Sequence, residues 1–226
     1  MSQDLKSLAK DGVLRVAINT GNRALVQQDG ETLSGVSPAL AARLATEIGA
    51  QMHAIVYDGA GKVFADANRD IWDVGFLAID AMRAEKIAYT EPYIVIEATY
   101  AVRADAPFKD VADIDNAGVH VLTASGSAYD MHLTKTLKQA TLERFGTPPE
   151  SFAAFKAGQC DAVAGVRASL EGVFENDPAI RILPGVLTSV QQAMVLPQRD
   201  DPRINALNEF VVRAISSGFV DAAKGA

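Results

Sequence analysis

Cysteine is almost missing from this sequence. Cys160 is the single one in 226 residues, so no intramolecular disulfide and no multi-cysteine metal site can form. It lies in the apolar run Cys160-Asp161-Ala162-Val163-Ala164 and is expected to be a small core residue. Histidine is scarce as well: His53, His120 and His132 share no metal-ligand spacing, so no metal is expected, and His53 and His120, which flank or enter expected strands, are assigned solvated or hydrogen-bonded structural roles rather than catalysis. No apolar run approaches the roughly 18 to 20 residues that span a bilayer. The opening MSQDLKSLAKDGVLRVAI lacks the basic-then-apolar layout of a signal peptide, and the chain as it stands is expected to be soluble and untargeted. Concentrated positive charge is also lacking. Lys and Arg are scattered and the formal net charge is -7, which excludes a phosphate-backbone footprint and hence nucleic acid as a partner. No nucleophile elbow, phosphate-binding loop or dinucleotide fingerprint is present, since Gly59-Ala60-Gly61 lacks the third glycine at the required spacing; no cofactor is expected.

What is present is a globular composition, 49% hydrophobic and 22% charged, without a stretch biased towards disorder. The length suits two lobes of roughly 100 residues each. Periodicity and breakers give alternating strands and helices, the signature of an α/β chain with largely parallel sheets. The first strand is expected over 13–20. Ser37 to Gly49 reads as a helix with Ser37 as N-cap, Pro38 at its first position and Gly49 as its stop. Strands at about 51–57 and 73–79 enclose a short helix near 61–68. Glu91-Pro92-Tyr93 interrupts, and Ile94 to Val102 forms a long extended run. A second series comes next: strand 118–123, helix 128–139, strand 141–145, helix 149–157 and strand 160–166. A further extended run over 190–196 precedes an amphipathic helix over 202–216, with Leu207, Phe210, Val211 and Ala214 on one face. Two such series joined by two extended crossings imply a cleft, and clefts between lobes favour small ligands.

The informative stretch runs from Asp73-Val74 through Arg83-Ala84 to Ile87-Ala88-Tyr89-Thr90-Glu91-Pro92-Tyr93. A buried strand ends in a loop presenting one arginine, and an aromatic turn closes it. In order and spacing this resembles the type II periplasmic solute-binding proteins of ABC importers, family 3, the type that binds polar amino acids. Gly12-Val13-Leu14-Arg15-Val16-Ala17, Leu33-Ser34-Gly35-Val36-Ser37-Pro38-Ala39-Leu40-Ala41, Gly126-Ser127-Ala128-Tyr129 and Gly158-Gln159-Cys160-Asp161-Ala162-Val163 extend the resemblance over nearly the whole chain.

The resemblance implies two α/β lobes, 1–97 with 190–226 and 98–189, joined by two extended hinge crossings with a ligand cleft between them. It implies a periplasmic monomer, its export signal already removed, that captures a small carboxylate and docks transiently on a membrane ABC permease. Arg83 would clamp the carboxylate, a role that suits a planar guanidinium that stays charged; the alternative is a surface arginine paired with Glu85 or Glu91. Gly126 and Ser127 would oppose it through the N-terminus of a helix, although Ser125 or Ser127 could equally be an ordinary N-cap. Phe76, Ala78, Asn19, Asn22, Arg23, Tyr129 and Arg167 complete the candidate ligand set, with core packing the alternative for Phe76. Tyr93, Gln191 and Gln192 are weaker candidates.

Several positions depart from the family pattern. Relatives that bind α-amino acids carry an acidic residue after the second-lobe strand, where this chain reads Ala164-Gly165-Val166-Arg167, and Asn19 replaces a frequent Asp. Arg83, joined by Arg23 and Arg167, therefore points to a small carboxylate or dicarboxylate ahead of a basic amino acid, because a buried cation without a partner is costly. Two other functions stay open. One is a dehydratase or lyase of the same fold, with Asp80, Glu97 and Asp130 as nominated acids or bases. The other is a ligand-sensing module.

Overall fold

A computed structural model describes residues 3–224. The chain runs through α1 (Gln3–Lys6), β1 (Val13–Asn19), β2 (Gln27–Asp29), β3 (Thr32–Ser34), α2 (Val36–Ile48), β4 (Gln51–Tyr57), α3 (Ala60–Ala65) and β5 (Val74–Ala78). It continues with β6 (Ala88–Arg103), β7 (His120–Thr123), α4 (Ala128–Thr136), β8 (Thr141–Arg144), α5 (Pro148–Lys156), β9 (Ala162–Val166) and α6 (Arg167–Phe174). The last elements are β10 (Ile180–Ile182), β11 (Thr188–Leu196), α7 (Ile204–Ser216) and α8 (Phe219–Ala223).

Two compact units emerge: residues up to Thr20 with Leu25–Val95 and Gln191 onwards, and Gly21–Ala24 with Ile96–Val190. Residues 1–2 and 225–226 of the lobe expected from sequence lie outside the described residues. In the first unit β1 pairs in parallel with β4 and β5, and β11 returns antiparallel to β5, with Gln192 opposite Ala78. Its core gathers Ala17, Val63, Trp72, Leu77, Ile87 and Val195. In the second, β7 pairs in parallel with β8 and β9, while β6 runs antiparallel to β9 and carries β10 on its other side. Leu122, Phe152, Phe155, Val163, Leu170 and Phe174 fill that core. The chain passes from one unit to the other within β6 and again within β11.

Most elements fall where the pattern put them, and the departures have physical causes. Helix α2 begins before Ser37, at Val36, with Gly35 as N-cap at φ 99°. A Cβ at Gly35 would stand 2.5 Å from the Leu25 carbonyl oxygen, so the chain can enter the helix there only through glycine. Ser37 caps nothing; its hydroxyl meets Tyr93 Oη at 3.1 Å. Gly49 does stop the helix, in the left-handed region. Glu91-Pro92-Tyr93 does not interrupt β6, which runs through it. The Glu91 N–H goes to Asn208 Oδ1 at 2.6 Å, so the strand takes a side-chain partner beside a residue that has no N–H to give. Helix α4 ends at Thr136 rather than 139 because the Asp115 carboxylate collects the N–H groups of Lys138, Gln139 and Ala140. Cys160 is only half-buried, packed at the margin of the second core, and burial pushes its thiol up to about 11. The hairpin β2–β3, α6 and β10 were not expected, although Asp29-Gly30 between the hairpin strands is a turn signal.

Candidate functional site

Arg83 belongs to the first unit, in a 3-10 turn (Arg83–Glu85) that comes after β5. Asp80 shapes the approach: its Oδ1 accepts from the N–H groups of Met82 and Arg83 at 2.9 and 3.3 Å. The arginine is 1% exposed, which overturns the reading of it as a surface residue. Its Nη1 donates to the Ala78 carbonyl at 3.3 Å, and its guanidinium carbon stands 5.9 Å from the Phe64 ring centroid. Tyr89 Oη donates to the same carbonyl at 2.9 Å. Burial lowers the Arg83 pKa, opposed by Tyr89 and Asp80, and pushes the Tyr89 hydroxyl up to about 12. Guanidinium nonetheless remains protonated at any physiological pH.

Phe76 and Ala78 lie on β5 and are buried; the Phe76 ring packs edge-on against Tyr93 with centroids 5.8 Å apart, an intramolecular role for that side chain. Asn19 ends β1 opposite Tyr57. Gln192 is buried opposite Ala78, and the Gln191 carbonyl accepts from Ile79 N–H. An open cavity of about 780 Å³ also lies in this unit, lined by Phe64, Asn68, Lys86, Gln198, Arg199 and Asp200, and it contains none of the residues predicted to bind ligand.

The second unit holds the other candidates. Ser127 is the N-cap of α4, its hydroxyl accepting from Asp130 N–H at 3.0 Å. Asp130 Oδ2 in turn accepts from Gly126 N–H at 2.8 Å, and its Oδ1 pairs with Arg144 Nε at 2.9 Å. Ser127 N–H donates to the Ala124 carbonyl. These two N–H groups are thus already engaged, the first by an internal carboxylate that occupies the positive end of the helix. The Ser127-x-x-Asp130 spacing is a capping signal that sequence reading passed over.

Arg167 opens α6 and is engaged locally: Nη1 donates to the Leu183 carbonyl at 3.4 Å, Nη2 to the Gly185 carbonyl, and Nε pairs with Glu97 at 3.4 Å. Arg23 is exposed and its N–H reaches Ser169 Oγ at 3.2 Å. Of the acids nominated for chemistry, Asp80 shapes a turn, Glu97 pairs with Arg167, and Asp130 is bound to Arg144 and Gly126. Tyr129, Asn22 and Thr123 each keep a buried polar atom without a hydrogen-bond partner. Among the described residues, no group of three or more His, Cys, Asp or Glu could hold a metal, and no helix is long and apolar enough to cross a membrane.

The chain resembles the glutamine-binding protein of Geobacillus stearothermophilus, 30% identical over 110 residues, 49% of this chain and 42% of that protein. The match therefore spans less than half the length of that curated relative. A mutant of ArgBP from T. maritima superposes with a TM-score of 0.83 at 21% identity, covering 98% of this chain and 97% of that one. The ancestral amino acid-binding protein AncCDT-1, a precursor of cyclohexadienyl dehydratase, superposes at 0.81 with 20% identity, covering 97% and 96% of the two chains. At such identities the likeness establishes the fold, two α/β units of the type found in amino acid-binding proteins. The family profile is decisive for membership: residues 14–224, from the second residue of β1 to the last turn of α8, match it throughout. The chain belongs to the bacterial extracellular solute-binding proteins, family 3.

Proposed function

We propose that this protein is the substrate-binding component of an ABC importer and captures a small carboxylate-bearing solute, an amino acid or related organic acid. The single observation that carries the reading is Arg83, a fully buried guanidinium in the 3-10 turn after β5 that donates to the Ala78 carbonyl, to which Tyr89 Oη also donates. It offers a planar, permanently charged fork to a carboxylate. The lobes 1–97 with 190–226 and 98–189 act as the closing bodies, hinged on β6 and β11. The family is described as extracellular; a periplasmic monomer that meets its membrane permease only in the closed form fits that description. No catalysis is required. Asp80, Glu97 and Asp130, the acids a lyase would draw on, have the local partners described above.

A thermal-shift screen of carboxylates and amino acids tests the reading, because a ligand that binds only the native state raises Tm. A stabilising carboxylate should lose its effect in Arg83→Met. Truncating one partner of a buried charged contact costs about 2 to 5 kcal/mol. Circular dichroism of the variant establishes that it is folded before binding is compared. Binding that persists undiminished in Arg83→Met would refute the clamp.

A further inference from the structure

Bidentate capture of a carboxylate requires two parallel N–H groups aimed at once, so an arginine clamp works only if the plane of its guanidinium is fixed. The backbone under Arg83 is held on both sides. Asp80 Oδ1 takes the Arg83 N–H, and the Arg83 carbonyl receives the N–H groups of Lys86 and Ile87 at 2.9 and 3.1 Å. A long, flexible stem still separates that backbone from the charged end. The contacts that orient the end all lie within the first unit.

Ala78 is the last residue of β5, and its carbonyl lies at the point where the sheet stops using β5 backbone. The Ile79 N–H donates to the Gln191 carbonyl of β11 at 2.8 Å. That N–H shares a planar trans peptide with the Ala78 carbonyl and points the opposite way, so the carbonyl faces away from β11. On the other side the parallel ladder with β1 ends at Ala17 and Gly75. The Ala78 oxygen is therefore left to side chains, and it takes two: Tyr89 Oη at 2.9 Å and Arg83 Nη1 at 3.3 Å. Its two lone pairs seat both donors.

The two donors are unequal. Tyr89 is the second residue of β6, a stiff ring on a strand, and it makes the shorter contact. Arg83 reaches the same oxygen from the end of its stem, and Phe64 bounds it with the ring centroid 5.9 Å from the guanidinium carbon. Tyr89 also favours the charged form of Arg83 against the effect of burial, which fits a phenol oxygen close to the guanidinium. Resting on the carboxylate-capture reading above, we infer that Tyr89 is a positioning residue for Arg83. Its hydroxyl fixes the Ala78 carbonyl, the carbonyl fixes Nη1, and together they set the plane in which the guanidinium meets a carboxylate. The phenol itself makes no contact with the solute.

Tyr89→Phe tests this, because it deletes the hydroxyl and keeps the ring. In unliganded protein carrying nitrogen-15-labelled arginine, the Arg83 guanidinium signals are those missing from Arg83→Met. Rotation about the Cζ–Nη1 bond, slow while Nη1 is held, should become about tenfold faster in Tyr89→Phe, the weight of one hydrogen bond. A hydroxyl that only braces the strand would lower Tm and leave that rate unchanged, which would overturn the inference. Calorimetry with succinate and L-glutamate as probes gives a second readout. A probe that binds the wild-type protein should bind Tyr89→Phe about three- to tenfold more weakly. In an Arg83→Lys background the same change should weaken it less than about twofold, because an ammonium has no plane to set. Equal losses in both backgrounds would place the hydroxyl on the solute and refute the positioning role. A probe lost in Arg83→Met yet indifferent to Tyr89→Phe sinks this inference alone, whereas one that binds Arg83→Met undiminished removes the capture reading beneath it.

Discussion

Gly165 sits near the end of β9, and Gly165→Ala makes a quantitative test of the second core. A Cβ built there would lie 2.8 and 2.9 Å from Phe152 Cζ and Cε1 and 3.0 Å from Leu170 Cδ2. The Phe152 ring must give way, yet it is 3% exposed and packs against Phe174 at 6.0 Å between centroids, with Phe155 against the other side of Phe174. Overpacking of this kind costs about 1 to 3 kcal/mol. Against it stands the reduced freedom of the unfolded chain, about 0.4 to 1 kcal/mol in favour of alanine. The net loss is therefore about 1 to 2 kcal/mol, a fall in Tm of roughly 2 to 4 °C for each kcal/mol. Urea unfolding should be monitored by circular dichroism, because the single tryptophan, Trp72, belongs to the first unit and reports there. Phe152→Leu supplies the cross-check: in the Gly165→Ala background it should cost at least ~1 kcal/mol less than alone, since the shorter side chain relieves the same clash. A Gly165→Ala protein as stable as wild type, or two effects that simply add, would refute the packing argument.

The first unit has its own test in Asp73, whose carboxylate is 7% exposed and accepts from Arg15 N, Nε and Nη2 at 2.9, 3.1 and 2.7 Å. Asp73→Ala removes all three and should cost about 2 kcal/mol in urea unfolding, moderated because Arg15 is partly solvated and keeps Asp70. His132 predicts a pH effect: burial, with Lys135 nearby, holds its pKa below the usual 6.5. The unfolded chain then takes up the proton first, so this contribution to stability is complete above about pH 6.5 and is lost as pH falls through the lowered folded value. Tm measured from pH 7 to pH 5 should fall less in His132→Gln than in wild type; parallel curves would exclude the group.

Much of this was legible in the residues. Gly49 after an apolar helix and the β-branched run of β6 act through neighbours in sequence, so local chemistry decides them. The spacing from Asp73 to Tyr93 likewise marked Arg83 without any knowledge of its surroundings. Illegible were the effects of distant partners. Ser37 carried every mark of an N-cap, but the close approach of the Leu25 carbonyl hands that position to Gly35. The carbonyls at 183 and 185 that hold Arg167, contributed by a loop past β10, leave no trace near it in sequence. Asp115 ends α4 from more than twenty residues away.

The order in which the chain visits its two units sets an order of completion. Nearly all of the second unit is one uninterrupted segment, Ile96–Val190, whereas the first closes only when the segment beginning at Gln191 is added. On the ribosome the inner unit can therefore finish its sheet while β5 still waits for β11, and the outer unit spends that interval with an open strand edge. Because β5 leads into the turn that carries Arg83, that arginine would be among the last groups to reach its final surroundings during synthesis. Residues 21–24 aside, a fragment spanning 96–190 is the natural candidate to fold alone, and one spanning 1–95 is the natural client of a chaperone.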